Sequence, residues 1–185
     1  MKTTIKNTLL PVLISTLAAT SAFAESRDST GFIHEFKFGV LQHDVDNLWS
    51  GFEREDGLDV NLEVILKPYV DFLGGQVRPA VGGSFNNAGD TSKIYVDARW
   101  EKALSANAYF SLGLGAAVHD EDRETAERDR KELGSQILFH FPIELGYRFD
   151  KHHGLSVYFD HISNAYLISP NDGMDSLGVR YGYTF

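Results

Sequence analysis

The feature that most restricts this chain is an alternation of apolar and polar residues with a period of two, repeated eight times. The runs are Phe32–Val40, Leu58–Leu66, Val77–Phe85, Ile94–Trp100, Phe110–Val118, Ile137–Tyr147, Leu155–Phe159 and Leu177–Phe185. Successive side chains of an extended strand point to opposite faces, so each run reads as a strand with one aliphatic or aromatic face and one polar face. No segment after the N-terminal region approaches the ~18 consecutive apolar residues of a spanning helix. The pattern predicts an all-β chain of eight antiparallel strands.

The polar face decides between two β architectures. A soluble sandwich or barrel turns its apolar face inward, whereas a transmembrane barrel turns it toward lipid and keeps a polar interior. Here the polar face carries both signs of charge (Glu35, Lys37, Glu63, Arg78, Asp97, Arg99, Glu144, Arg148 and Arg180), with Gly82, Gly113, Gly115, Gly178 and Gly182 among them. A narrow eight-stranded barrel can fill its interior with such side chains if the charges pair. The chain closes on Tyr181-x-Tyr183-x-Phe185, which resembles the terminal signature of bacterial outer-membrane barrels. The expectation is an eight-stranded transmembrane β-barrel of the outer-membrane type, with Glu144 and Arg148 in an internal ion-pair network.

The N-terminal segment reads differently. Lys2 and Lys6, the apolar run Leu9–Ala19 and the sequence Ala22-Phe23-Ala24 make up a secretory signal peptide, residues 1–24, leaving 25–185 as the barrel. A formal charge of −9 offers no basic face to nucleic acid, and the absence of Cys removes disulfides, thiolate metal sites and cysteine nucleophiles. Loop lengths set the orientation. The connections His43–Gly57 and His119–Gly134 are long, those at Ser105–Asn107 and Asp150–His153 are short, and Pro68–Gly75 is intermediate. Short turns belong in the periplasm and long loops outside. The charged stretch Asp120–Glu132 reads as a solvated surface loop with a helical turn.

The residues with chemistry gather at the last hairpin. His161 and Ser163 lie two apart, so they project from one face with Cα atoms about 7 Å apart. That face is the lipid-facing one, in phase with Leu155, Val157 and Phe159. Asp175 is in phase with Leu177, Val179 and Tyr181, so a carboxylate points the same way, and the hairpin is read with Ser163 and Asp175 facing each other. Polar groups facing hydrocarbon are costly unless they pair or sit at the interface. An imidazole, a hydroxyl and a carboxylate on one face at one end of a barrel therefore suggest a catalytic group. The plain alternatives are a chance His-x-Ser spacing and an aspartate at the headgroup boundary.

The segment His161-Ile162-Ser163-Asn164-Ala165, followed by Pro170-Asn171-Asp172-Gly173-Met174-Asp175, resembles the lipid A 3-O-deacylase (PagL) family. The stretch from Gln42-His43-Asp44 to Asp59-Val60-Asn61-Leu62-Glu63 adds a weaker likeness. The resemblance implies an outer-membrane esterase that removes the 3-linked acyl chain of lipid A in lipopolysaccharide. By position His161 would be the base, Ser163 the nucleophile and Asp175 the acid, where the best-known members carry Glu. Asn164, Asn171 and Gly173 are the candidate oxyanion donors; no cofactor or metal is required. The partners implied are lipopolysaccharide and outer-membrane lipid, with a homodimer left open. Two other readings stand beside it: a non-catalytic structural or adhesive barrel, and a barrel phospholipase.

Overall fold

A computed structural model describes residues 31–120 and 130–185. The predicted signal peptide, and most of the charged stretch read as a surface loop with a helical turn, lie outside these residues. The described residues contain nine strands and no helix. They are β1 (Ile33–Gln42), β2 (Leu58–Leu66), β3 (Val70–Phe72), β4 (Gly75–Asn86), β5 (Lys93–Ala103), β6 (Ala108–His119), β7 (Ile137–Arg148), β8 (His153–Ser163) and β9 (Met174–Thr184). All pairings are antiparallel in the order β2-β1-β9-β8-β7-β6-β5-β4, and pairing of β2 with β4 closes the sheet into an eight-stranded barrel.

The ninth strand is the one departure from the predicted strand count. β3 lies in the stretch expected to be a connection and pairs only with the start of β4, Val70 opposite Val77 and Phe72 opposite Gly75. Leu73 and Gly74 join them with φ of 49° and 74°, two consecutive positive values that suit a two-residue hairpin turn. Leucine is disfavoured at positive φ, so the sequence carries little sign of this turn.

Parity follows the alternation. Along β1, Glu35, Lys37 and Leu41 are buried while Phe36, Phe38 and Val40 are exposed on the outer face. The interior is polar and filled. Glu144 sits at its centre: Oε1 accepts from Lys37 Nζ (2.8 Å) and Tyr109 OH (3.1 Å), and Oε2 from Arg99 (2.8 Å) and Arg180 (2.5 Å). Arg180 also reaches Glu63 at 3.3 Å and lies over the Tyr158 ring at 3.6 Å. Arg148 does point inward, but it pairs with Glu101 (2.9 Å) and Glu35 (3.7 Å) rather than with Glu144. Gly113 makes room for this packing, since a Cβ there would lie 2.9 Å from Arg99 Cδ.

Toward the end bearing the long connections, a second tier joins Lys93 to Asp160 (2.5 Å) and Ser176 (3.2 Å), and His140 to Asp97 (2.9 Å). Interleaved with this tier is an apolar filling: Tyr95, Ala117, Leu133, Leu138, Ile162 and Met174 form a buried cluster, and Tyr95 packs on His140. Ile162 and Met174 are cross-strand partners on β8 and β9. Their inward packing braces from behind the piece of wall whose outer side carries His161, Ser163 and Asp175.

Candidate active site

The register of the β8–β9 ladder sets the first contact. His161 stands directly opposite Asp175, and on its other side opposite Phe141 of β7; Ser163 stands opposite Phe139. The expected facing of Ser163 and Asp175 is therefore corrected: the ladder ends at Ile162–Met174, and the carboxylate meets the imidazole. His161 Nδ1 and Asp175 Oδ1 are 2.6 Å apart. A carboxylate at that distance accepts a hydrogen bond from Nδ1–H, which assigns the tautomer of the neutral ring and leaves Nε2 with its lone pair. His161 and Ser163 line one cleft of about 270 Å³, with Trp49, Phe141, Tyr166, Asn171 and Gly173.

Burial changes abruptly along this face. Leu155 and Val157 are exposed as expected of lipid-facing positions, yet His161, Ser163 and Asp175 are 5%, 7% and 0% exposed. The cover comes from the β1–β2 connection. Its chain continues past β1 alongside β9, with Val45 N–H donating to Asp175 O at 2.9 Å. It turns at Asp44 and Asn47, whose φ values of 44° and 57° suit short polar side chains. That path lays the Trp49 indole on the His161 ring, centroids 4.4 Å apart and planes 10° from parallel. Ser50 then donates to Asp175 Oδ2 from its backbone N–H (2.6 Å) and its hydroxyl (3.1 Å).

The connection is itself tied to the β4–β5 and β6–β7 connections, with His43 and Asp59 keeping the inward parity of Leu41 and Asn61. Asp44 Oδ2 accepts from the backbone N–H groups of Arg54 (2.7 Å) and Glu55 (3.1 Å). His43 bridges Asp59 (2.9 Å) and Glu55 (3.0 Å), and Glu55 accepts from Thr91 and from the Lys131 N–H. Lys131 Nζ pairs with Asp44 at 3.3 Å and donates to Phe52 O. Burial alone would push His43 down, but its hydrogen bonds with Asp59 and Glu55 outweigh it and lift the imidazole to about 9. Burial would raise Glu55, but donors from His43, Lys131 and Thr91 hold it at about 2. Both groups are charged at neutral pH.

The three candidate oxyanion donors are placed differently. Asn164 is spent on structure: its amide donates to Leu133 O (3.0 Å) and Pro170 O (2.9 Å), and its backbone N–H to Asn171 Oδ1 (2.8 Å). That last bond holds the Asn171 amide oxygen toward Asn164, and Asn171 itself lines the cleft. Gly173 has φ of 66°, and a Cβ there would lie 3.0 Å from His161 Cε1, so only glycine lets the loop pass this close to the ring. Trp49 and Ser50 were not among the residues singled out from the sequence. A tryptophan in a connection rich in Asp and Asn was the available sign, but its partner depends on the path of the chain. Among the described residues no group of three or more His, Asp or Glu side chains converges as a metal site.

Comparison with known proteins adds three findings. The profile of the family described as Lipid A 3-O-deacylase (PagL) matches residues 65–184, well over half of the chain and including His161, Ser163 and Asp175. Among solved structures, that described as the crystal structure of the outer membrane enzyme PagL superposes with a TM-score of 0.60 at 19% identity, covering 82% of this chain and 99% of its own. The backbone structure of the Yersinia pestis outer membrane protein Ail in a phospholipid bilayer nanodisc follows with a TM-score of 0.50 at 12% identity, covering 84% and 100%. At these identities the two structures speak for the barrel fold. No match is found among curated proteins.

Proposed function

Because this chain belongs to the lipid A 3-O-deacylase (PagL) family, we propose that it hydrolyses the ester-linked acyl chain at the 3-position of lipid A in lipopolysaccharide, with Ser163 as nucleophile, His161 as general base and Asp175 as the acid that orients it. The observation that carries the residue assignment is the 2.6 Å contact between His161 Nδ1 and Asp175 Oδ1 on the outer face of the wall, beside a serine in the same cleft.

The chemistry follows from the arrangement. With Nδ1–H held by Asp175, Nε2 accepts the Ser163 proton as Oγ attacks the ester carbonyl, and the buried carboxylate stabilises the imidazolium that forms. The developing oxyanion needs fixed donors, which the Asn171 amide and the Gly173 N–H can supply from the cleft. Collapse returns the proton from Nε2 to the 3-oxygen of the sugar, which leaves as an alcohol. Water entering from the rim then repeats the cycle on the Ser163 acyl ester and releases the fatty acid. A site on the outer face lets acyl chains arrive through the leaflet while the sugar headgroup stays at the water interface. Export by a signal peptide cut after Ala24 completes the reading.

The test is mass spectrometry of lipid A from cells carrying the intact protein or Ser163→Ala. Loss of the 3-linked acyl chain with the intact protein and its retention with Ser163→Ala is the expected result; deacylation that persists with a folded Ser163→Ala barrel overturns the assignment. Parallel assay on glycerophospholipid separates this reading from a barrel phospholipase.

A further inference from the structure

We propose that Trp49 and Ser50, carried by the β1–β2 connection, are positioning residues that complete the His161–Asp175 pair: Ser50 holds the carboxylate and Trp49 holds and shields the imidazole. The proposal rests on the deacylase reading, and both residues lie outside the matched stretch 65–184.

A carboxylate with no solvent exposure needs donors on both oxygens, because an unpaired buried charge is costly. Asp175 Oδ1 has the His161 Nδ1–H; among the described residues the donors to Oδ2 come from the connection, the Ser50 N–H and hydroxyl at 2.6 and 3.1 Å. Two donors on Oδ2 fix the rotation of the carboxylate so that Oδ1 faces the imidazole. The Trp49 indole performs the matching task for the ring. Stacked at 4.4 Å and 10°, it blocks rotation of the imidazole out of the plane in which Nδ1 meets Oδ1. Its π-face also favours the imidazolium formed during proton transfer. Trp49 is itself 59% exposed while the ring beneath it is 5% exposed, so the indole acts as a cover.

The charged and titratable groups around the imidazole can be named. Asp175 faces it from β9; Asp172 and Tyr166 line the cleft from the β8–β9 connection; Arg54 of the β1–β2 connection lies 3.4 Å from Asp172. β7 offers only Phe139 and Phe141, and Asp160 on β8 points into the barrel, away from the ring. Of these, Asp175 alone contacts the ring through a hydrogen bond.

The protein has two tryptophans, so a Trp100→Phe background makes Trp49 the sole indole emitter. In the refolded full chain at one pH, Trp49 emission is expected to change in His161→Gln, because the indole loses the ring it stacks on, and to stay as it is in Ser163→Ala. Ser50→Ala keeps the N–H donor and loses the hydroxyl; kcat on lipid A is expected to drop about 10-fold with KM unchanged, and Ser50→Thr to restore it. Trp49→Leu is expected to lower kcat by a similar factor with KM unchanged, because the imidazolium loses its π-face, and Trp49→Phe to recover most of the loss.

The proposal is overturned if Trp49 emission is the same in His161→Gln, or if Ser50→Ala and Trp49→Leu leave kcat intact while Ser163→Ala is inactive. If the intact chain leaves lipid A untouched, the deacylase reading fails, and the emission comparison, which needs no substrate, decides the stacking by itself.

Discussion

Asp175 and Glu144 are both buried carboxylates, and the difference in their surroundings sets what each substitution does. Asp175 sits on the outer face with one imidazole and one serine as partners. Asp175→Asn keeps the shape and loses the charge, so acyl release by the refolded protein is expected to fall at least about 100-fold with the barrel intact. Asp175→Glu adds a methylene in a site where Ser50 fixes the second oxygen, and is expected to retain activity only if the connection shifts to receive it. Glu144 instead holds three cations, Lys37, Arg99 and Arg180. Glu144→Ala takes away their shared short contact and leaves only the longer ones, Arg180 and Arg99 to Glu63 and Lys37 to Glu35, and a loss of about 3–5 kcal/mol is expected in urea unfolding in detergent. His161, Ser163 and Asp175 were legible from the sequence because strand parity alone put them on one face. Trp49 and Ser50 were not: they meet His161 and Asp175 from more than a hundred residues away, through a register and loop path that no local pattern encodes.

The element with the most distinctive behaviour is the β1–β2 connection, since its hold on the barrel depends on charge. His43 is raised from 6.5 to about 9, so the stability it contributes is complete below about pH 6.5 and is lost as pH rises through 9. Glu55 is lowered from 4.5 to about 2, so its contribution is complete above 4.5 and is lost only as pH falls through 2. At neutral pH and above, His43 alone governs the change. Trypsin cleavage after Arg54 is expected to be slow near neutral pH and to accelerate as pH passes about 9, with the strands remaining protected; His43→Gln is expected to be cleaved readily at both ends of that range. Most elements were legible as strands because each alternates apolar and polar residues, whereas β3 was not: three residues are too few to establish a period, and Leu73 takes the first turn position, where asparagine or aspartate before Gly74 would have announced a hairpin.

At the scale of the whole molecule, the distribution of polarity is that of a barrel meant for a membrane, with ion pairs inside and Phe, Val and Leu outside. Closure of the sheet by β2 and β4 leaves the eight barrel strands paired on both sides, so unfolding must break a continuous ladder. The unheated protein in dodecyl sulfate is therefore expected to migrate differently from the boiled one, and identical mobilities would contradict a closed barrel. This architecture was readable in outline because charges of both signs recur on the face opposite the aliphatic one; the particular pairing inside was not, since Arg148 turned to Glu101 and left Glu144 to cations from other strands. The outward placement of the cleft carries a kinetic consequence under the deacylase reading. Substrate reaches such a cleft by drifting sideways within a leaflet, so encounter is two-dimensional and the quantity that drives turnover is mole fraction in the surface rather than molarity in the tube. Spreading a fixed amount of lipid A among more inert detergent is expected to slow the reaction, and rates plotted against surface fraction are expected to collapse onto one curve.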